Sequence, residues 1–420
     1  MVSLPSGGPD LAGFHNGCSQ CSQSIAFKCL SNLEKNPSFG LAKIKTAGRV
    51  PELDGIRGVA ILLVLIWHYV GCTVEPGHRD LAFFIWKGTS LTWCGVDLFF
   101  VLSGFLIGGI LLDNRDSPRF FRTFYLRRSA RIFPPYYALV FGTFALVWTG
   151  FGDFPGSSPF LDGQSSLPSY LFYLQNFVMA ESGSWGFRPL AITWSLAVEE
   201  QFYLLLPLAI YWTPPRFVPW LLVFGIFECW ATRIVAFHLH PNPVLATYTL
   251  LPFRCDALLA GALLSWVARY KHLFLQPLKD AAIRAGVIAM LLAGYLALIA
   301  LGTGTGSHQA AYWGYSWLAL IGACLIAICL VDTDSFIARL FRARLLRYFG
   351  TISYGLYLVH EIVHHTAFWI MTGSSHPKLS TLFELAITAF ALCVSVLIAS
   401  FSWHYFERPF LRRIQSVSEY

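Results

Sequence analysis

Long apolar runs alternate with short polar connections along most of this sequence. A run of roughly 20 mostly apolar residues is the length that an α-helix needs to cross a hydrocarbon core about 30 Å thick. Ten segments meet this condition: residues 58–75, 94–112, 132–150, 191–212, 217–237, 247–267, 283–301, 312–331, 352–371 and 382–403. We therefore predict an all-α integral membrane protein with about ten transmembrane helices.

The basic residues indicate how these segments are oriented. Six Lys or Arg residues precede the first segment and six lie between the second and the third, whereas the connection GTGTGSHQ (302–309) has none. Short cytoplasmic loops of membrane proteins collect Lys and Arg. The alternation therefore predicts that the N-terminus and the C-terminus are both cytoplasmic.

The overall composition supports a membrane location and restricts the partners. Hydrophobic residues make up 55% of the chain and charged residues 13%, and the mean hydropathy is +0.56. This leaves too little polar surface for a soluble globular protein. The net charge of +7 follows from the basic loops, so no nucleic-acid partner is needed to explain it. We expect a multi-pass protein in the lipid bilayer of the cell membrane, which is the inner membrane if the source is bacterial.

Composition also divides the chain into three parts. Residues 1–48 are rich in Gly, Ser, Asn and Pro and lack an apolar run of signal-peptide quality, which predicts a disordered cytoplasmic extension. Residues 49–413 form the predicted ten-helix membrane domain, and residues 414–420 form a short cytoplasmic tail. Cys18 and Cys21 form one C-x-x-C pair in the extension, and one such pair cannot complete a tetrahedral zinc site.

The first apolar segment contains an arginine and a histidine, in the stretch RGVAILLVLIWHY. From Arg57 to His68 the helix advances about 16 Å and turns about 20° more than three full turns, so the two side chains share a face. Asp54 is the predicted cap of this helix. The conservative interpretations are a topology-setting charge for Arg57 and a hydrogen bond between helices for His68. Ionisable residues inside a membrane are nonetheless functional candidates, and imidazole is the usual base near neutral pH.

Two adjacent carboxylates lie in the fourth segment, in the stretch TWSLAVEEQFYLLLP. A charged side chain costs about 2.5–3.5 kcal/mol at the centre of a membrane helix, so Glu199 and Glu200 are difficult to explain by packing alone. Ser195, Glu199 and Tyr203 recur every four residues and therefore share one helix face. Residue counting places Glu199 at about the same depth as His68.

Further polar residues occupy the second and the sixth segments. Ser103 falls at a similar depth, and its simplest interpretation is a small residue that eases helix contact beside Gly104; Asp97 lies higher in the same helix. Arg254 and Asp256, in LPFRCDALLAGALL, are two residues apart and so lie on different helix faces. We expect each of these two to pair with another helix or to line a cavity.

An arginine motif begins the third segment. In FYLRRSARIFPPYY, Arg128 and Arg131 are three residues apart, and guanidinium groups suit phosphates. Positive-inside topology is the simpler interpretation of the motif taken alone. The long connection at residues 151–190 contains many aromatic residues and Asn176, and long loops tend to be functional, so it is a candidate for contact with a sugar.

The ninth segment contains a rival motif, H-E-x-x-H, formed by His360, Glu361 and His364. This spacing puts two imidazoles on one helix face as zinc ligands, with the glutamate as base. A zinc protease needs a third ligand, and the sequence after His364 offers no intramembrane aspartate. The motif is also short for a chain with 12 histidines. We therefore treat an intramembrane zinc protease as the less favoured alternative.

Taken together, these stretches resemble the acyltransferase-3 family of integral-membrane O-acyltransferases. The resemblance covers residues from about 50 to 413, in the order that the family shows. The matching pieces are ELDGIRGVAILLVLIWHY, GVDLFFVLSGFLI, RRSARIFPPYY, YLQNF, TWSLAVEEQFYLLLP, FRCDALLAGALL, FGTISYGLYLVH and the ERP at 407–409.

The resemblance implies transfer of an acyl group, usually acetyl, from cytosolic acyl-CoA to a hydroxyl of a carbohydrate such as an exopolysaccharide or of a small molecule. It also implies that phosphates supply the anion for Arg57, Arg128 and Arg131. His360 matches a histidine that family members carry in the ninth segment. The H-E-x-x-H spelling is then accidental, and no metal is expected.

We accordingly predict a membrane-bound O-acyltransferase that uses acetyl-CoA. His68 is the general base or a nucleophile, and a carboxylate, Glu199 before Glu200, orients its imidazole. Arg57, Arg128 and Arg131 bind the cofactor phosphates. The remaining polar residues are assigned to substrate contact or structural support: Asp97, Ser103, Asn176, Ser195, Tyr203, Arg254, Asp256 and His360. A transporter of glycan or lipid intermediates is the main alternative.

Overall fold

The described part of the computed structural model comprises residues 50–77, 80–146, 148, 166–374 and 376–415, and its regular structure is helical throughout. The helices are α1 (Pro51–Ile66), α2 (Leu81–Thr89), α3 (Gly95–Asp113), α4 (Phe120–Leu146), α5 (Leu167–Leu171), α6 (Gln175–Ser182), α7 (Trp194–Trp212), α8 (Val218–Leu239), α9 (Pro243–Thr249), α10 (Leu251–Tyr270), α11 (Ala281–Ala300), α12 (Tyr315–Val331), α13 (Phe336–Phe341), α14 (Arg344–Thr372), α15 (Leu382–Ser402) and α16 (Arg408–Gln415). The predicted extension, residues 1–48, and most of the predicted tail lie outside this part, so the domain boundaries stay predictions.

Seven of the ten predicted segments lie in helices that are long and apolar enough to cross a membrane. These helices are α1, α3, α8, α10, α11, α12 and α15. The other three segments fall on α4, α7 and α14, which are helical but carry the arginines, glutamates and histidines of the predicted site. The structure thus supports a multi-pass helical membrane protein, whereas the count of ten and the orientation of the termini stay predictions.

Helices α3 and α10 approach each other closely through two glycines. A Cβ atom added at Gly104 would lie 1.8 Å from the carbonyl oxygen of Leu258, and one added at Gly261 would lie 2.0 Å from that of Val101. Small residues that let backbones meet are typical of contacts between membrane helices. The close contact predicted beside Ser103 is therefore present, and Gly104 makes it.

Helices α1 and α14 meet in the same way. A Cβ atom at Gly58 would lie 1.9 Å from the carbonyl oxygen of Leu346, and one at Gly350 would lie 1.8 Å from that of Asp54. This contact brings the later turns of α14 beside the end of α1, where the chain forms a π-helical turn at Trp67–Gly71. Such turns occur frequently at functional sites, and this one contains His68.

The beginning of α1 differs from its predicted form. The helix begins at Pro51, and proline is well suited to the first position of a helix, so Asp54 lies within the first turn rather than at the cap. The predicted cap is therefore wrong. The Oδ1 atom of Asp54 lies 3.2 Å from Nη1 of Arg57, which supplies an anion for Arg57 from within the same helix.

Two buried ion pairs join three helices, and a hydroxyl group from a fourth helix adds a hydrogen bond to one of them. Nη2 of Arg254 in α10 lies 2.8 Å from Oδ1 of Asp97 in α3, and Nη1 of Arg233 in α8 lies 2.9 Å from Oδ2 of Asp256 in α10. Ser316 in α12 donates a further hydrogen bond to Asp256, at 2.8 Å. The prediction that Arg254 and Asp256 pair with different helices is confirmed, and their charges support the fold.

Candidate active site

Two neighbouring cavities contain most of the predicted site residues. The larger, which we name the aromatic cavity, has a volume of about 650 Å³, and its lining includes Trp67, His68, Trp93, Trp185, Arg188, Trp194, Tyr248, Glu361 and His365. The smaller, which we name the arginine cavity, has a volume of about 320 Å³, and its lining includes Arg57, Ser103, Arg128, Arg131, Ser195, Glu199 and Tyr203. Val96 and Tyr357 line both cavities, so these two residues form a shared wall where the cavities adjoin.

The hydrogen bonds of His68 determine the position of its proton. Its Nδ1 atom lies 2.9 Å from the carbonyl oxygen of Val64, and a carbonyl oxygen only accepts, so Nδ1 donates. Nε2 of His360 lies 3.3 Å from the same Nδ1 atom. In a neutral imidazole the lone pair is then on Nε2 of His68.

A carboxylate faces this lone-pair atom. Oε1 of Glu361 lies 3.3 Å from Nε2 of His68, and Oε2 of the same residue lies 2.9 Å from Nε2 of His365. Both pairs are largely buried, with the His68 side chain 20% exposed and that of Glu361 13% exposed. An imidazolium formed at His68 would therefore be stabilised by a carboxylate at short range.

This carboxylate is not the one that we expected. The sequence predicts Glu199 beside His68, but the structure places Glu199 in the arginine cavity and Glu361 beside His68. In the sequence, Glu361 stands out only through the H-E-x-x-H motif, which is typical of a metal site. His365, four residues after Glu361 and on the same helix face, was missed.

The H-E-x-x-H motif does not form the zinc site that its spelling suggests. The ring of His364 stacks on Tyr69, with ring centroids 4.1 Å apart, and its Nε2 atom lies 3.5 Å from the hydroxyl oxygen of Thr388. The described residues whose ligand atoms come within 4.8 Å of one another are His68, His360 and Glu361. This trio could hold a metal ion, but it lacks the second histidine of the motif.

The arginine cavity contains the predicted face of α7. Ser195, Glu199 and Tyr203 all line it, as their four-residue spacing predicts, and the hydroxyl groups of Ser103 and Tyr203 are hydrogen-bonded to each other. Arg57 also lines this cavity, whereas His68 lines the other one. Arg57 and His68, which share a face of the first helix in the sequence prediction, therefore line different cavities.

Six predicted site residues line neither cavity: Asp97, Asn176, Glu200, Arg254, Asp256 and His360. Asn176 is fully buried; its amide donates to the carbonyl of Thr249 at 3.1 Å and accepts from Gln201 at 3.0 Å. These hydrogen bonds agree with structural support, one of the two roles predicted for this residue, and contact with a sugar stays a prediction. Glu200 lies one position beyond Glu199, on another face of α7. Its Oε1 atom is buried and has no hydrogen-bond partner in the described part of the chain.

The wall between the cavities is held by hydrogen bonds. The hydroxyl of Tyr357 donates to the carbonyl oxygen of Ile192 at 2.9 Å and lies 2.7 Å from the hydroxyl oxygen of Ser195. Three residues later in α14, Nδ1 of His360 donates to the carbonyl oxygen of Tyr357 at 2.7 Å. The wall and the His68 cluster are thus parts of one hydrogen-bonded structure.

This fold and site define a membrane protein with a histidine–carboxylate centre next to an arginine-lined cavity. The chain belongs to the acyltransferase domain family, whose model matches residues 50–400. It is similar to the "Putative peptidoglycan O-acetyltransferase YrhL" of Bacillus subtilis (strain 168), with 27% identity over 86% of this chain and 54% of the relative. It is also similar to peptidoglycan O-acetyltransferase OatA of Listeria monocytogenes (strain EGD-e), with 28% identity over 74% of this chain and 49% of the relative.

The extent of these matches limits what they establish. The chain spans about half the length of these curated relatives, 54% and 49% respectively. No solved structure matches the chain significantly. Family membership is therefore established, and the activity is argued from the site.

Proposed function

We propose that this protein is an O-acetyltransferase that moves an acetyl group from acetyl-CoA to a hydroxyl of a cell-envelope glycan. The observation that carries the proposal is the His68–Glu361 pair, which lines one cavity while three arginines line the cavity behind the shared wall. The names of the relatives support peptidoglycan as the first acceptor to test.

The arginine cavity suits the donor. Arg57, Arg128 and Arg131 present guanidinium groups to it, and such groups bind phosphates through paired, charge-assisted hydrogen bonds. Its volume of about 320 Å³ is at the lower end of ligand cavities, which suits the narrow pantetheine arm of the donor. The acetyl thioester then approaches the wall formed by Val96 and Tyr357.

The aromatic cavity suits the acceptor and the proton transfer. The acceptor oxygen bonds to the thioester carbonyl carbon while its proton passes to Nε2 of His68, the lone-pair atom. The carbon–sulfur bond breaks, and the departing thiolate takes up that proton to give free CoA. The carboxylate of Glu361, 3.3 Å from Nε2, stabilises the imidazolium between these steps. A general base of this kind is favoured over an acyl-histidine because Nε2 already faces a carboxylate.

The test is a transfer assay with purified protein, radiolabelled acetyl-CoA and peptidoglycan fragments. His68→Ala should reduce turnover by about 10²–10⁴-fold, the usual contribution of a general base. His272→Ala is the matched control, because His272 lies in the connection His272–Lys279 and lines neither cavity. Full activity of His68→Ala would overturn the proposal. Glycan flux across vesicles without consumption of acetyl-CoA would instead favour the transporter.

A further inference from the structure

One wall of the aromatic cavity is made by four large rings, three of them inclined to the ring of Tyr248 by 44°, 83° and 77°. The ring centroids of Trp194 and Tyr248 lie 4.6 Å apart, those of Trp185 and Tyr248 lie 5.9 Å apart, and those of Trp93 and Tyr248 lie 6.2 Å apart. All four rings line the cavity. Tyr and Trp combine a broad apolar face with a polar group, and the C–H faces of a sugar ring lie well against such surfaces.

The buried guanidinium group of Arg254 packs against the rings of this wall. The guanidinium carbon of Arg254 lies 3.9 Å from the ring centroid of Tyr315 and 5.3 Å from that of Tyr248. Arg254 is itself only 1% exposed and paired with Asp97. Cation–π contacts are stronger in a desolvated position than at an exposed one. The wall is therefore pre-organised, which lowers the cost of ordering it when a ligand binds.

One arginine of the same cavity has no partner among the described residues. Arg188 is partly buried, and among the described residues it forms no hydrogen bond or ion pair. The arginines of the two buried ion pairs, Arg233 and Arg254, each contact a carboxylate. A partly buried guanidinium without an anion is unfavourable, so Arg188 is suited to an anion that arrives with the ligand.

The other charges of the cavity are compatible with an anion. Glu361 is the one carboxylate among the described residues that line it, and this carboxylate already contacts two imidazoles. Besides Arg188, the other titratable residues of the lining are the histidines His68, His365 and His376, the thiol of Cys72 and the phenols of Tyr248 and Tyr357. An anionic group near Arg188 would thus meet no uncompensated negative charge.

We propose that the aromatic cavity binds an anionic saccharide, with the sugar ring on the Trp185–Trp194–Tyr248 wall and its carboxylate or phosphate on Arg188. This inference rests on the proposed function, because it names the acceptor class of the same site. Arg188 is then a specificity-determining residue for the acceptor, while His68 and Glu361 carry the proton transfer.

The test compares matched acceptors in the radiolabelled transfer assay. The probes are a disaccharide that contains a hexuronic acid, the same disaccharide after reduction of its carboxyl to an alcohol, and a disaccharide phosphate. The wild type should show a KM about tenfold lower for the anionic acceptors than for the neutral one, which corresponds to about 1.4 kcal/mol, because hydrogen bonds between charged groups are stronger than neutral ones. A lower KM for only one of the two anionic acceptors would show whether the site recognises a carboxylate or a phosphate.

Variants of Arg188 show whether this residue recognises the negative charge of the acceptor. Arg188→Gln should remove the preference by bringing the KM values for the anionic and the neutral acceptors together, and Arg188→Lys should keep part of the preference, because lysine retains the charge but loses the paired geometry. Arg216→Gln is the matched control, because Arg216 lies in the connection Pro215–Phe217 and lines neither cavity. If Arg188→Gln does not fold, Arg188→Lys and the acceptor series with the wild type still decide the question.

The outcomes separate this inference from the proposed function. Equal KM values of the wild type for anionic and neutral acceptors would overturn the inference and leave acetyl transfer intact. A preference that survives in Arg188→Gln would also overturn it. Failure of the wild type to acetylate any glycan acceptor, with His68→Ala indistinguishable from it, would instead overturn the proposed function.

Discussion

The aromatic cavity and the arginine cavity lie on either side of one wall but differ in chemistry. The first is about 650 Å³, with tryptophans, histidines and one carboxylate among its described lining residues; the second is about 320 Å³, with three arginines and Glu199. A phosphate-bearing donor needs fixed positive charge, whereas a sugar needs flat apolar faces and a base near its hydroxyl. The difference indicates that donor and acceptor enter separate spaces and meet at Val96 and Tyr357. Variants on one side should therefore leave the other side unchanged.

The strongest effect should come from the ion pair behind the aromatic wall. Asp97→Ala leaves Arg254 as a buried charge without its carboxylate, which typically costs about 3–5 kcal/mol. We expect a large fall in thermal stability in detergent, measured by loss of the monodisperse peak after heating. Asp113→Ala is the control, because Asp113 pairs with Arg269 at the same distance, 2.8 Å, but is 29% exposed, and exposed pairs contribute about 0–1 kcal/mol. Equal losses in the two variants would contradict a special role for the buried pair.

The next effect distinguishes the roles of Glu361 and Glu199, the glutamates of the two cavities. Glu361→Gln should reduce kcat by about 10–100-fold, because the imidazolium at His68 loses its carboxylate. Glu199→Gln, the same substitution in the other cavity, should leave kcat within about threefold of the wild type. Steady-state rates at saturating acetyl-CoA and acceptor measure both. A larger loss for Glu199→Gln would restore that residue to the role that the sequence suggested.

A smaller effect is expected for the donor arginines. Arg128→Gln and Arg131→Gln should each raise the KM for acetyl-CoA by about tenfold, since a hydrogen bond to a charged group contributes about 1.5–3 kcal/mol. The KM for the acceptor should not change. Arg122→Gln is the control on the same helix, because Arg122 is exposed and lines neither cavity. An equal change in donor and acceptor KM would show that the two cavities are not independent.

The smallest effect is expected at the wall that the two cavities share, which includes Tyr357. Tyr357→Phe removes a hydroxyl that bonds to Ile192 and Ser195, at a cost of about 1 kcal/mol. We expect a few-fold rise in hydrolysis of acetyl-CoA without acceptor, measured by release of free CoA, because a looser wall admits water to the thioester. Tyr348→Phe, in the same helix but outside both cavities, should behave as the wild type. Unchanged hydrolysis in Tyr357→Phe would mean that this hydroxyl does not seal the wall.

Three features of the fold and site were predictable because helix geometry is local. The apolar runs predicted helices, and the four-residue spacing of Ser195, Glu199 and Tyr203 predicted their shared cavity. The two-residue spacing of Arg254 and Asp256 predicted partners on different helices. Each of these conclusions needs only the rise and rotation of one helix. The polar helices α4, α7 and α14 were also found as segments, although their composition falls short of a membrane span.

The identity of the group facing His68 was not predictable in this way. Glu361 reaches His68 only because Gly58 and Gly350 let α1 and α14 come together, and no periodicity within one helix reports a contact between helices so far apart in the chain. Counting residues along each helix made Glu199 a candidate partner of His68, because the count gives the depth of a side chain in the membrane but not the direction in which it points. The partners of Asn176 were not predictable for the same reason, because Gln201 and Thr249 come from other elements.

The sequence by itself therefore determined a helical membrane chain, the family resemblance and the residue types available for acyl transfer. The tertiary structure alone decided which of them face each other: His68 with Glu361 in one cavity, and Glu199 with the arginines in the other. The physical reason is that periodicity specifies a face of a helix, whereas helix packing specifies what that face meets.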